Sequence, residues 1–104
     1  YPEGWWVRWN TWIDRMLEDP CFAQRVNERS ADIDSQLTEI KADINAWAEH
    51  LSLSQAENDS IWRTIGTHVW PNPVVYDTYE EEVEHLVEWV DTRMDWLAKT
   101  IDGL

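Results

Sequence analysis

The residues of this chain that could bind a metal ion lie on its last predicted helix. Glu82 stands three residues before His85, a spacing that metal sites in helical bundles use on inward faces. A two-helix site needs a second copy of this pattern, and Trp47 occupies the matching place before His50. His85 also projects away from the apolar stripe, and His68 is too distant in sequence to complete a zinc site by spacing. We therefore expect a solvated acidic face and no metal site.

Groups typical of covalent catalysis or phosphate binding are not arranged for either task. No serine lies in a glycine-bounded turn, and the chain has no glycine-rich loop that could hold phosphates. The single Cys21 lies just inside a predicted helix start, where we expect a small buried hydrophobe. Paired carboxylates carry little information in a chain with 21 acidic residues. We predict no catalytic residue, no cofactor and no enzymatic activity for the chain by itself.

The candidate binding residues lie in the predicted loop 66–78. Trp70 and Tyr76 flank Asn72 there, a mixture that could stack on a sugar ring or on a partner's proline. The alternative is that Trp70 folds back and plugs the end of the bundle, while the two neighbouring prolines stiffen the connection. We favour the plug, because tryptophan is highly buried on average.

Charge and length exclude several classes of protein. The chain has 21 acidic and 8 basic residues, a formal charge of -13, which repels nucleic acid and anionic membranes. No apolar run approaches the roughly 18 residues of a membrane span. A chain of 104 residues forms one domain over 1–104. It opens with Tyr1 and Pro2, and we expect a piece of a longer protein.

Helices are favoured because glycine and proline are few. None lies between Pro20 and Gly66, or between Pro73 and Gly103, so strands have little room. The apolar spacing predicts an all-α, compact bundle of about four helices with an irregular loop. The helices are placed at about 4–17, 20–34, 38–65 and 79–102, and the loop at 66–78.

Local signals set the predicted helix ends. Asp19 before a proline is an N-cap signal, and Thr78 with Glu81 forms a capping box. We place a break near Ser35–Thr38, because an unbroken helix from 20 to 65 would far exceed the average length of about 11 residues. Gly103 is expected to end the last helix as its C-cap.

The nine tryptophans are mostly spaced as the buried edges of helices, which predicts an aromatic core. Trp62 and Trp89 fall on or next to the apolar stripes of their helices and are expected in that core. Arg93 lies four residues after Trp89 and three before Trp96, so its guanidinium can stack on either ring. We favour a structural cation–π or ion-pair role for Arg93 over ligand binding.

From Ile33 the apolar residues follow at alternating steps of four and three, the spacing of a coiled-coil-like helical seam; they are Leu37, Ile40, Ile44, Trp47 and Leu51. A polar residue, Asn58, occupies a core position of the same register, one heptad after Leu51. A buried amide needs hydrogen-bond partners, so we expect Asn58 to tie the loop 66–77 to the bundle. The alternative is that the helix bends near Ser52–Ser54 and leaves Asn58 on the surface.

Short motifs in the second half of the chain occur in a fixed order, and a looser set precedes them. The motifs are ENDSIW at 57–62, IG at 65–66, VWPNP at 69–73 and TYEEEV at 78–83, then Leu86, Trp89, Arg93 and Trp96-Leu97. The looser set is Trp9, Asp19-Pro20, Phe22 and Arg25-Val26. Together they resemble the C-terminal part of the spore-coat protein H (CotH) kinase-like family, over most of the chain.

The resemblance implies a larger bacterial surface or secreted protein whose atypical kinase core binds ATP and metal. The nucleotide and metal motifs of that family would lie upstream, and no residue here matches them. We expect a non-catalytic helical subdomain whose partner is the upstream part of its parent chain. The alternative is an independent module that binds a protein or glycan through the Trp70 loop. The first hypothesis predicts an exposed apolar patch, and the second an exposed Trp70 ring in a groove.

Overall fold

The fold is all-α, as the apolar spacing predicted. The structure, a computed structural model, describes residues 1–104 and contains no strand. Its five helices are α1 (Thr11–Met16), α2 (Pro20–Asp34), α3 (Leu37–His50), α4 (Ser52–Trp62) and α5 (Tyr79–Ile101). Together α3 and α4 cover the predicted helix 38–65, and α5 corresponds to the predicted helix 79–102.

Side-chain caps start α2 and α5 where the sequence predicted them. The Asp19 carboxylate accepts hydrogen bonds from the backbone N–H groups of Cys21 and Phe22, at 2.8 and 3.0 Å. Glu81 donates its N–H to Thr78 Oγ1 at 3.2 Å, and its carboxylate accepts from Thr78 N at 3.1 Å. These contacts satisfy N–H groups that have no partner inside the helix. The predicted N-cap and capping box are confirmed.

The first helix is much shorter than the predicted range 4–17. Gly4 has a φ of 103°, which a helix does not allow, and turns follow it. The Asn10 side chain then accepts from the N–H groups of Trp12 and Ile13, so the helix begins at Thr11. An asparagine that caps a helix in this way ends the preceding turn and starts a new element.

The predicted third helix, 38–65, is two helices. The predicted break before it is confirmed, since α2 ends at Asp34 and α3 begins at Leu37. A second interruption of one residue falls at Leu51, beside the serines that have weak helix propensity. Gln55 N still donates to Leu51 O at 2.8 Å, so the hydrogen-bond ladder is nearly continuous. Asn58 lies exposed on α4, which is the outcome that the alternative prediction gave for this residue.

The last helix ends at Ile101, but not through the predicted glycine C-cap. Gly103 does not have a positive φ, which a left-handed cap requires. Its N–H donates to Thr100 O at 3.3 Å instead, and Leu104 N donates to Ile101 O at 2.9 Å. The helix thus unwinds through tight turns of the kind that often finish helices.

The chain divides into two units, which we call the terminal unit and the central unit. The terminal unit comprises Tyr1–Thr38 and Trp89–Leu104, and the central unit comprises Glu39–Glu88. Ala23 and Ile101, the two buried side chains of the protein, both lie in the terminal unit. In the central unit the Tyr79 hydroxyl donates to Ala48 O at 3.0 Å, which joins α5 to α3.

The predicted tryptophan core is wrong for most of the rings. Trp5 and Trp96 do form an edge-to-face pair, with centroids 5.4 Å apart. Five tryptophan side chains are each at least 62% exposed to solvent. These five are Trp9, Trp12, Trp47, Trp62 and Trp70. The helical spacing located apolar faces correctly, but no other part of the chain covers them.

Candidate interaction surface

The Trp70 loop does not gather its three candidate residues into one site. Trp70 is 84% exposed, so the prediction that it plugs the end of the bundle is wrong. Asn72 is exposed and takes part in a turn, in which its N–H donates to Val69 O at 2.9 Å. Tyr76 is half-buried, and its hydroxyl lies 3.1 Å from His85 Nδ1. The loop therefore offers one free aromatic ring.

The residue that secures the end of α4 is Asp59, and not the predicted Asn58. Asn58 is exposed, so the predicted buried amide is not found. Asp59 Oδ1 accepts from Ile65 N at 2.8 Å and from Thr64 Oγ1 at 3.5 Å. Between them Arg63 adopts a left-handed conformation with a φ of 51°. A one-residue shift in register decides which side chain reaches the connection, because neighbouring helical positions point about 100° apart.

Arg93 has the structural role that its spacing predicted. Its guanidinium lies over the Trp96 ring, 5.2 Å from the centroid, and Nη1 donates to Pro2 O at 3.0 Å and Gly4 O at 2.7 Å. The planar guanidinium suits this combination of stacking and paired hydrogen bonds. Trp89, the other ring considered, is 36% exposed and is not buried in a core.

Two acidic residues at the start of α5, Glu81 and Glu82, bind the backbone of the preceding loop. Glu82 Oε1 accepts from Tyr76 N at 3.3 Å, so the two residues that could have ligated a metal, Glu82 and His85, both contact Tyr76. No group of three or more histidine, cysteine, aspartate or glutamate side chains is placed to hold a metal ion. The geometry gives these groups a local structural role.

An apolar groove lies in the central unit, between α3 and the first half of α5. Its volume is about 510 Å³. We call it the central groove. It is lined by Ile40, Asp43, Ile44, Trp47 and Ala48 from α3, by Leu51 directly after that helix, and by Tyr79, Glu82, Val83 and Leu86 from α5. These positions follow steps of three and four, so each helix presents one continuous stripe. The stripe of α3 was recognised in the sequence as a helical seam, but the sequence did not show that the seam stays open.

A second apolar groove lies in the terminal unit, between α2 and the last part of α5. This terminal groove has a volume of about 450 Å³. It is lined by Phe22, Arg25, Val26, Arg29, Ser30, Ile33, Met94, Leu97 and Ile101. Its charged lining residues are two arginines, whereas those of the central groove are the carboxylates Asp43 and Glu82. The two grooves share a size and an apolar floor and differ in the sign of their charge.

None of the five helices combines the length and the apolar character needed to cross a membrane. Eight of the 17 exposed large hydrophobic residues lie on the helices, and nine lie in the N-terminal segment, the connections and the last residue. Exposed apolar patches that are bordered by polar residues mark interaction surfaces in proteins.

Comparison with known proteins identifies one family. None of the curated proteins and none of the solved structures matches the chain. The family model described as CotH kinase protein matches residues 3–97, which is nearly the whole chain. That range contains α1 to α4 and the greater part of α5. It therefore includes α3, which lines the central groove, and α2, which lines the terminal groove. The chain therefore belongs to the CotH kinase family.

Proposed function

We propose that the chain is a non-catalytic helical subdomain on the C-terminal side of a CotH-like bacterial surface or secreted protein, where it supports the kinase-like core. Family membership gives the context, since the matched family is described as a kinase. The placement on the C-terminal side and outside the cell follows from the resemblance of the sequence motifs.

One observation carries this proposal: far more large hydrophobic residues are exposed than are buried. Two side chains are buried, and 17 large hydrophobic residues are exposed. Burying apolar surface contributes roughly 25 cal/mol per Å² and is the main favourable term in folding and association. Tryptophan rings left in water on several helices thus favour a module whose faces pack against another part of its parent protein.

The proposal can be tested by oxidative footprinting of tryptophan in the parent protein and in the isolated chain. We expect Trp47 and Trp62 to be oxidised readily in the isolated chain and protected in the parent, because the kinase-like core covers them. Trp5, which already packs on Trp96, serves as the internal control, since its protection should not change. Equal oxidation of Trp47 and Trp62 in both proteins would contradict the proposal.

A second test addresses the non-catalytic role. We expect the isolated chain to show no binding of magnesium-ATP by calorimetry, because a formal charge of -13 repels the triphosphate and no phosphate-binding loop is present. Micromolar, magnesium-dependent binding would instead make the chain part of the nucleotide site.

A second candidate function is a stand-alone module that binds a protein or a glycan through the Trp70 loop. The exposure of Trp70, at 84%, is the observation in its favour, because a free aromatic ring can stack on a sugar or on a proline. The same footprinting experiment separates the two functions. If the Trp70 loop is the ligand site, Trp70 should stay reactive in the parent and become protected only when ligand is added.

A further inference from the structure

The central groove, between α3 and α5, is long enough for one further helix to lie along it. The stripe from Ile40 on α3 to Leu51, just past the end of that helix, is about 16 Å long at 1.5 Å per residue, which matches a helix of about three turns. Its floor is apolar, with Trp47 at 62% exposure, Leu51 at 46% and Leu86 at 47%. An amphipathic helix that lays its apolar stripe into such a groove is a recurring mode of recognition.

The walls of the groove are negatively charged. Each helix contributes one carboxylate to the lining, Asp43 from α3 and Glu82 from α5. Glu49, Glu80 and Glu84 line the adjoining hollow of the same two helices. The central unit as a whole has eleven acidic and two basic residues, a formal charge of -9, and neither basic residue lines the groove.

This charge selects among the candidate occupants. A second copy of the chain would bring another protein of formal charge -13 against an acidic wall, which costs free energy. Asp43 is exposed, so its carboxylate can reach a cation on a partner. A helix with lysine or arginine beside its apolar stripe would cover the apolar floor and also supply positive charge. The methylene stems of these long side chains can lie on apolar surface while their charged ends reach the carboxylates.

We propose that the central groove binds one amphipathic helix of about three turns whose apolar stripe is flanked by lysine or arginine. The inference rests on the proposed function and adds to it the chemistry of the segment that the groove accepts. Trp47 is the anchor, because tryptophan side chains in apolar grooves carry a large share of the binding free energy. Asp43 and Glu82 select the charge of the flanks.

The test uses the chain 1–104 and a library of synthetic helices with a fixed leucine stripe at steps of three and four. The flanking positions are randomised among lysine, glutamate, glutamine and alanine. We expect selection on the immobilised chain to enrich lysine at the flanks, and amide chemical-shift changes of the enriched peptide to fall on residues 40–51 and 79–86. Enrichment of glutamate, no enrichment at all, or shift changes centred elsewhere would overturn the proposal.

Matched pairs of variants show which groove residues contribute to the affinity for the peptide. Trp47→Ala should weaken binding of the enriched peptide at least about tenfold, whereas Trp62→Ala on α4, a ring that is 70% exposed and lies outside the groove, should leave the affinity unchanged. Asp43→Lys should weaken it about two- to fivefold, and Glu57→Lys, which makes the same charge change outside the groove, should do so less. Equal effects within either pair would overturn the proposal.

Two further outcomes distinguish the proposed basic helix from a second copy of the chain and from a supporting role without charge selection. If sedimentation shows that the chain dimerises and Trp47→Ala abolishes the dimer, the occupant is a second copy and the proposed basic helix is wrong. If footprinting shows that the parent protects Trp47 while the library enriches no lysine, the supporting role stands and the charge selection fails.

Discussion

The terminal unit and the central unit are stabilised in different ways. The terminal unit contains both buried side chains of the protein and the Arg93 guanidinium, which joins α5 to the backbone of residues 2 and 4. The central unit buries no side chain and depends on a capping box, the Asp59 contact with Ile65 and the Tyr79 hydroxyl. One unit is fixed by contacts distant in sequence, and the other mainly by short-range hydrogen bonds.

The charge of the two units follows the same division. The terminal unit has ten acidic and six basic residues, a formal charge of -4, against -9 for the central unit. A unit with strong self-repulsion and no buried side chain gains most from a partner that supplies apolar cover and positive charge. The two units therefore need not share one role, and the central unit is the better candidate for the docking part.

The largest effect should come from the buried isoleucine of the terminal unit. Ile101→Ala should lower the free energy of unfolding by about 2–4 kcal/mol, because it removes apolar contacts and leaves a cavity. The matched control is Ile61→Ala on α4, where the side chain is 63% exposed while Ile101 is 6% exposed. The control should cost less than about 0.5 kcal/mol in chemical denaturation. Similar losses for the two variants would remove the distinction between the units.

A smaller loss is expected at Arg93. Arg93→Ala removes two hydrogen bonds to carbonyl oxygens and the stacking on Trp96, and should cost about 1.5–3 kcal/mol. Arg93→Lys keeps the charge but lacks the planar donor pair, so its loss should be intermediate. Arg15→Ala is the control, since that side chain is 79% exposed and pairs only with Glu18. Amide exchange near Gly4 should rise in both Arg93 variants and stay constant in Arg15→Ala.

Helix starts could be predicted because their determinants are adjacent in sequence. Asp19 and Thr78 cap the N–H groups that the spacing assigned to them, and Arg93 stacks on a ring three residues away. The same local logic failed at Asn10, where an asparagine inside an apolar stripe starts a new helix. It also failed at Gly103, since a glycine after a helix permits a left-handed cap without requiring it.

The candidate site was harder to predict, because exposure depends on what faces a stripe. The spacing of Ile40, Ile44, Trp47 and Leu51 defines an apolar helical face, and that part of the prediction agrees with the groove lining. The sequence has the same pattern whether the face packs within the chain or waits for a partner. Trp62 shows this well, as a residue on an apolar stripe that is 70% exposed.

An effect of about 1–2 kcal/mol is expected at the end of α4, in the central unit. Asp59→Ala leaves Ile65 N without its 2.8 Å partner in a half-buried place, which accounts for a loss of that size. Asn58→Ala is the adjacent control and should change the free energy of unfolding little, because Asn58 is exposed. Hydrogen exchange at Ile65 should accelerate only in Asp59→Ala. If the Asn58 variant instead loosened residues 66–77, the original assignment of the tying residue would be restored.

The smallest effect should come from the capping box of α5. Thr78→Ala removes the oxygen that accepts from Glu81 N and should cost about 0.5–1 kcal/mol. Thr92→Ala on the same helix is the matched control, since Thr92 is exposed within α5 and alanine has the higher helix propensity there. We therefore expect the control to leave stability unchanged or to raise it by a few tenths of a kcal/mol.

The location of the change along α5 matters as well as its size, because the central unit has no buried side chain to hold the start of α5 when its cap is lost. Amide exchange should consequently rise at Glu80–Val83 in Thr78→Ala and stay constant in the last turns of the helix, whereas a uniform rise along α5 would show that the two units unfold together.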